Sequence, residues 1–139
     1  MITAYITFNG NTEEAFDFYK TALNGTITNL QRFGDAPNAD QMSDADKNKI
    51  MHIALEGPDN IKLMGNDYLP FMGEAFKAGN NFSLSFHPDN KETADKLFNS
   101  LSVGGNITMP MSTAPWGDYF GMFTDKFGMT WMINHQVKR

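Results

Sequence analysis

The chain contains the same short unit twice, and this internal repeat limits the folds that are available to it. Several positions of a predicted helix and of the turn after it recur at a constant offset. The matched pairs are Asn11 with Asn90, Glu13 with Glu92, Ala15 with Ala94, Phe18 with Leu97, Tyr19 with Phe98 and Gly25 with Gly104. Neither copy is long enough to bury a core alone, so we expect two similar modules that cover each other, with the function between them.

Strand patterns surround each predicted helix. Residues 2–8 alternate in polarity and predict a strand, and Asn11 with Glu14 predicts a helix N-cap and capping box. Three more strand patterns follow, and the second half repeats the order β-α-β-β-β. The sequence therefore predicts an α+β fold with two βαβββ modules in tandem. We expect a single domain over residues 1–139, with module 1 at about 1–66, a linker at about 67–79 and module 2 at about 80–139.

Composition excludes several classes of function. The net charge is −5, and no cluster of basic residues occurs before the terminal Lys138 and Arg139, which argues against nucleic acid as a partner. The absence of cysteine excludes disulfides, thiolate metal sites and cysteine nucleophiles. No segment resembles a signal peptide or a membrane-spanning helix, so we expect a cytoplasmic protein with no membrane partner.

Several separated motifs occur in an order that is typical of one family. They are Phe8-Asn9-Gly10-Asn11, Glu14-Ala15-Phe16, Lys49-Ile50-Met51-His52, Leu63-Met64-Gly65, Gly79-Asn80-Asn81, Trp116-Gly117-Asp118-Tyr119-Phe120-Gly121 and Phe123-Thr124-Asp125-Lys126-Phe127-Gly128. Together with the two modules, they resemble the PhnB-like branch of the vicinal oxygen chelate superfamily, which includes glyoxalase I, extradiol dioxygenases and bleomycin-resistance proteins. The resemblance covers essentially the whole chain. It implies the glyoxalase/bleomycin-resistance fold, in which curved, mostly antiparallel sheets surround a cavity.

The resemblance also implies where a metal would bind. Metal-using members take their ligands from the first and last strands of each module, and these positions fall near Ala4, Met64, Ser83 and Met132. Hard divalent cations need carboxylate oxygens or imidazole nitrogens, whereas a thioether suits soft copper. We therefore predict that the usual metal site is absent and that no cofactor is bound, although a non-standard divalent metal site stays open.

His52 and Arg32 are the charged or titratable candidates for a ligand-binding pocket. His52 lies on a predicted strand and should share a face with Ala54, where it could orient a ligand or act as a general base. The alternative is a buried ring that is hydrogen-bonded to the backbone. Arg32 could receive a carboxylate or a phosphate, and the alternative is an arginine that faces solvent.

Aromatic and sulfur side chains supply the apolar candidates. Trp116 and Tyr119 could form a lid with flat apolar contacts and two polar tips, or they could pack the fold or a dimer. Met64 and Met132 could line an adaptable pocket, or they could fill gaps in the core. Asp125, by contrast, is predicted to serve in a turn between two strands.

These observations favour a metal-free homodimer that binds a small organic molecule, and they leave enzyme activity undecided. Sequestration of a cationic antibiotic is one form of this function. A glyoxalase-like lyase or isomerase, or a dioxygenase-type enzyme, with a non-standard metal site is an alternative, as is a structural or regulatory dimer. Some PhnB-like proteins carry a demethylubiquinone methyltransferase label, but no glycine-rich nucleotide or S-adenosylmethionine loop follows a predicted strand here.

Overall fold

Two sheets of four strands, one in each half of the chain, form the framework of the structure, a computed structural model that describes residues 1–137. The chain divides into two compact units, of which the first is Met1–Lys77 and the second begins at Ala78. Module 1 lies in the first unit and module 2 in the second. Among residues 1–137, none of the helices has the length and apolar character that a membrane span requires.

Module 1 has the strand order β1-β4-β3-β2, in which β1 and β4 are parallel and the other neighbours are antiparallel. Its helical and strand elements are β1 (Ala4–Phe8), α1 (Thr12–Ala22), β2 (Thr26–Arg32), α2 (Asp44–Lys47), β3 (Ile50–Glu56) and β4 (Lys62–Asp67).

Module 2 has the strand order β5-β8-β7-β6, with β5 and β8 parallel and the other neighbours antiparallel. Its elements are β5 (Leu84–Phe86), α3 (Lys91–Leu101), β6 (Asn106–Thr113), β7 (Tyr119–Thr124) and β8 (Thr130–His135). The second half thus repeats the topology of the first, and the predicted α+β fold with two βαβββ modules is confirmed.

The long helix of each module packs on one face of its own sheet, and a glycine on the sheet allows a close approach. A Cβ atom on Gly65 would lie 2.9 Å from the ring of Phe16 in α1. A Cβ atom on Gly121 would lie 2.8 Å from the ring of Phe98 in α3. Both phenylalanines are buried, and each such burial stabilises the fold by about 1.5–3 kcal/mol.

The start of α1 is held differently from the sequence prediction. Asn11 occupies the N-cap position, but its side chain makes no capping hydrogen bond. The buried carboxylate of Asp67, at the end of β4, instead accepts hydrogen bonds from the backbone N–H and the hydroxyl of Thr12 at 3.0 and 2.6 Å. Its other oxygen accepts from the N–H of Ile50 at 2.8 Å. Asp67 therefore joins the helix to the start of β3.

The repeat shifts by one residue after the helices, which corrects the predicted match of Gly25 with Gly104. Gly104 has a φ of +76° and corresponds to Asn24, whose φ is +53°. A Cβ atom on Gly25 would lie 3.0 Å from the carbonyl oxygen of Glu56, and one on Gly105 would overlap the carbonyl oxygen of Thr124. Gly25 and Gly105 thus have the same role: each allows the backbone after the helix to pass close to the last residue of the third strand of its module.

We expect Gly105→Ala to destabilise the protein by about 2–3 kcal/mol, because the new methyl group meets backbone atoms that have no room to move. Chemical denaturation followed by circular dichroism measures this change. Gly79→Ala is the matched control, since the nearest atom to its Cβ lies 3.6 Å away, and its effect should stay within about 1 kcal/mol. Equal stability of the two variants would contradict the proposed role of Gly105.

We expect Asp67→Ala to lower the free energy of unfolding by about 2–4 kcal/mol, because several donors lose their acceptor in a buried position. Denaturation in urea measures the loss. Asp40→Ala removes an exposed aspartate and should change stability by no more than about 0.5 kcal/mol. A loss of similar size in both variants would argue against Asp67 as the link between α1 and β3.

Candidate functional site

Helix α1 packs on one face of the sheet of module 1, and we call the opposite face, the one away from α1, the helix-free face of module 1. Gly65 faces α1, so its strand neighbours Met64 and Asn66 point to the other side. Register places further residues beside these two on that side. The face comprises Tyr5, Thr7, His52, Ala54, Met64 and Asn66.

A tyrosine–histidine pair is the main polar feature of this face. The rings of Tyr5 and His52 stack with centroids 5.7 Å apart, and the Tyr5 hydroxyl lies 3.2 Å from His52 Nδ1. Tyr5 is still 47% exposed, although partial burial raises its pKa. The pair offers a flat aromatic surface together with groups that donate and accept protons. Because Tyr5 lies beside Met64 and Met64 lies beside Ala54, the contact of His52 with Tyr5 confirms the prediction that His52 shares a face with Ala54.

Met64 lies next to this pair. It is in register with Tyr5 on one side and with Ala54 on the other, and it is half-buried. The neighbouring Thr7 hydroxyl donates a hydrogen bond of 2.8 Å to Asn66 Oδ1. The face therefore combines an aromatic pair, a flexible thioether and fixed polar groups, and these are the usual components of a small-molecule site.

Module 2 also has a helix-free face. Gly121 faces α3, so Phe120 and Met122 point away from the helix. Met132 is in register with Met122 and shares this face. Trp116 is 53% exposed and contacts the edge of the Phe120 ring, with centroids 5.2 Å apart. The predicted pocket residues Trp116 and Met132 are thus associated with one face of module 2.

Tyr119 lies on the opposite side, so the predicted lid of Trp116 and Tyr119 does not form in module 2. Its hydroxyl donates a hydrogen bond of 2.6 Å to Asp95 of α3, and Lys91 Nζ lies 5.1 Å from the ring centroid. The bond to Asp95 raises the pKa of Tyr119. Tyr119 and Phe120 are adjacent in β7 and therefore project to opposite faces, which the sequence prediction did not use.

Arg32 already has an internal partner. Its guanidinium donates two hydrogen bonds to the Glu13 carboxylate, at 2.6 and 3.1 Å, and one to the carbonyl oxygen of Asn48 at 2.8 Å. The bond from Arg32 lowers the pKa of Glu13, and the bond to Glu13 raises the pKa of Arg32. We therefore assign Arg32 to the link between α1 and β2, and we leave it out of the proposed binding faces.

The strand register shows which residues lie beside Met64 and Met132, the predicted ligand positions on the last strand of each module. Ala4 is in register with Leu63 on the helix side, and Tyr5 is the residue beside Met64. Ser83 precedes β5, and Ser85 is the residue beside Met132. The adjacent pairs are therefore Tyr5 with Met64 and Ser85 with Met132.

These four positions supply no carboxylate and no imidazole, so they do not fit a hard divalent cation. Within residues 1–137, no group of three or more histidine, aspartate or glutamate side chains is arranged to hold a metal. Metal-free binding stays a prediction.

Sequence reasoning did not select Tyr5, Phe120 or Met122 as site residues. Strand parity carries the signal for all three. Ile6 and Phe8 are buried on one face of β1, and because strand residues alternate between faces, Tyr5 lies on the other face. The same rule places Phe120 and Met122 on the face opposite to Gly121. Only the contact between Gly121 and α3 shows which of the two faces is covered by the helix.

Comparisons with known proteins agree with this architecture. A family model described as 3-demethylubiquinone-9 3-methyltransferase matches residues 1–134. Protein PA1353 from Pseudomonas aeruginosa is 38% identical, and its structure matches with a TM-score of 0.85 over 99% of this chain and 98% of that protein. The PhnB protein from Bacillus cereus is 24% identical, with a TM-score of 0.77 over 97% of this chain and 98% of that one.

A wider structural similarity extends to the superfamily. A glyoxalase/bleomycin resistance protein/dioxygenase family enzyme from Burkholderia phytofirmans PsJN is 17% identical, with a TM-score of 0.65 over 96% of this chain and 98% of that one. The predicted glyoxalase/bleomycin-resistance fold and the PhnB-like resemblance are therefore confirmed.

We expect Tyr119 to ionise above the usual value of 10.0, because its bond to Asp95 raises the pKa by favouring the neutral phenol. The stabilising effect of this bond is therefore present below pH 10 and is lost as the pH rises through the higher pKa of the folded protein. Ultraviolet titration of the wild type minus Tyr119→Phe isolates this group. Asp95→Ala should lower its pKa, and an unchanged titration curve in that variant would contradict the assignment.

Proposed function

The chain belongs to the family described as 3-demethylubiquinone-9 3-methyltransferase and has the glyoxalase/bleomycin-resistance fold, and from this we propose that it is a homodimer that binds a small organic molecule without a divalent metal. One observation carries the proposal, which is the partly exposed Tyr5–His52 stack beside Met64 on the helix-free face of module 1.

The chemistry of this face describes the ligand. A planar or aromatic group would stack on Tyr5, and a polar atom of the ligand would form a hydrogen bond with Tyr5 or His52. Met64 would adapt its thioether to the apolar part of the ligand. The net charge of −5 favours a ligand with a positive charge, and sequestration of a cationic antibiotic is the narrower form of this proposal.

An enzyme of the lyase or isomerase type is the second candidate, and the Tyr5–His52 hydrogen bond is the observation that favours it. Imidazole is the common general base near neutral pH, and a tyrosine hydroxyl at 3.2 Å provides a second proton-transfer group. We do not extend methyl transfer from the family description to this chain. The turns before α1 and α3 each lack the repeated glycines of a nucleotide-binding loop.

Exposed apolar side chains on edge strands support the homodimer. Leu30 lies on β2 and Ile107 on β6, and each strand is at the edge of its sheet. These side chains are 39% and 48% exposed. A second chain would cover such surfaces, and the mass in solution would then be twice the 15.6 kDa of one chain. Light scattering after size exclusion measures this mass, and a monomer would remove that part of the proposal.

We expect a screen of neutral, cationic and anionic aromatic compounds to raise the midpoint of thermal unfolding for at least one chemical class, because a ligand that binds the native state stabilises it. Calorimetric titration of the best compound should give a saturable isotherm. His52→Gln should weaken this binding by about tenfold or more, equivalent to ~1.4 kcal/mol. His87→Gln is the matched control, because His87 is exposed and lies in module 2.

Two further readouts separate the proposals, namely the fate of the compound and the metal content of the protein. Recovery of the compound unchanged supports binding, whereas conversion to a product that requires His52 supports the enzyme. Protein purified without chelator should hold far less than one divalent ion per chain by elemental analysis. A stoichiometric divalent metal, or no shift with any compound class, would overturn the proposed function.

A further inference from the structure

Three methionines form a row across the helix-free face of module 2, and we call Met109, Met122 and Met132 the methionine row. The register pairs Met109 of β6 with Met122 of β7, and it pairs Met122 with Met132 of β8. Directly opposed residues in antiparallel strands lie with their Cα atoms about 4.5–5.5 Å apart and point to the same face. The three side chains therefore leave adjacent strands side by side.

The other methionine of β6, Met111, shows to which face of the sheet Met122 points. The sulfur of Met111 lies 2.6 Å from the position that a Cβ atom on Gly121 would occupy, on the side of α3. Gly121 and Met122 are adjacent in β7, so Met122 projects to the opposite side. Met111 is thus excluded from the row and provides a control from the same strand.

Core packing does not explain the whole row. Met109 is 49% exposed, and Met122 and Met132 are half-buried. The register of β6 shifts on both sides of Met109, yet the pairing of Met109 with Met122 is kept between these irregularities. The three side chains thus start from neighbouring positions on adjacent strands, and part of each stays exposed.

We propose that the methionine row binds one soft monovalent cation of the Cu(I) or Ag(I) type through its three thioether sulfurs. Thioethers select such cations over hard divalent ions. The methionine side chain has three rotatable bonds, which allow neighbouring sulfurs to converge on one ion. The chain has no cysteine, so no thiolate competes with the methionines for the cation. Its net charge of −5 also favours the approach of a cation.

A comparison of the two modules leads us to expect one such site in each chain, in module 2. The corresponding row across β2, β3 and β4 is Asn29, Ala54 and Met64, which are paired by register in the same way. It supplies a single thioether. The same topology therefore offers a three-sulfur row in module 2 and none in module 1.

The test uses protein with ¹³C-labelled methionine methyl groups, titrated with silver nitrate in chloride-free buffer. Silver(I) is a soft cation that does not change its oxidation state during the titration. We expect the methyl signals of the methionine row to shift together and to saturate at one ion per chain. The signals are assigned from the single variants Met109→Leu, Met122→Leu and Met132→Leu, which nearly conserve side-chain volume.

Met122→Leu removes the central sulfur and should weaken silver binding by at least about tenfold, since even loss of an outer partner of a metal ligand costs about 10–100-fold. Met111→Leu should leave the affinity unchanged. If Met122→Leu does not fold, Met109→Leu replaces it, because Met109 is half exposed. Competition between the protein and a Cu(I)-specific chelator repeats the comparison with copper.

Shifts of all accessible methionines without saturation would overturn the proposal, as would a saturable site that survives in Met122→Leu. The proposal does not depend on the organic ligand of the proposed function. Compound binding that is sensitive to His52 and silver binding that is sensitive to Met122 can each fail while the other is observed.

Discussion

A single helix covers only one face of a four-stranded sheet, and the other features of each module depend on this limit. A helix can lie on only one side of a sheet, so α1 or α3 occupies one face and leaves the other. With strands about 4.8 Å apart and a helix about 10 Å wide, each helix also spans only part of the face on which it lies. Gly65 and Gly121 allow a phenylalanine of the helix to lie directly against the sheet. The residues immediately before and after each of these glycines in the strand then point to the helix-free face, where the candidate binding residues are found.

The two modules use one topology to present different chemistry. The first strand carries Tyr5 beside Met64 in module 1 and Ser85 beside Met132 in module 2. Module 1 thus presents an aromatic pair with hydrogen-bonding groups, whereas module 2 presents thioethers and the Trp116 edge contact. The two modules therefore share one backbone topology, while the side chains on their helix-free faces differ.

Buried aspartates hold the strands that carry these faces. Asp67 fixes the start of α1 to β3, and in module 2 Asp125 accepts hydrogen bonds from the backbone N–H groups of Phe127 and Met129 and from the indole of Trp131. The predicted role of Asp125 in a turn between strands is confirmed. Among the described residues, no buried side-chain nitrogen or oxygen is left without a hydrogen-bond partner. Loss of either acceptor would leave donors unsatisfied in the core and would destabilise the fold.

The sequence by itself determined the repeated βαβββ modules, because helix and strand periods are local properties of the chain. It also determined that the positions implied by the resemblance, Ala4, Met64, Ser83 and Met132, carry no carboxylate and no imidazole, and the same holds for Tyr5 and Ser85, which the register places beside Met64 and Met132. Only the tertiary structure decided which face each side chain joins, as Tyr119 shows. Strand side chains alternate with a period of two, so a shift of one residue reverses the face. The strands that fix the register by pairing, such as β1 with β4, are distant in the chain.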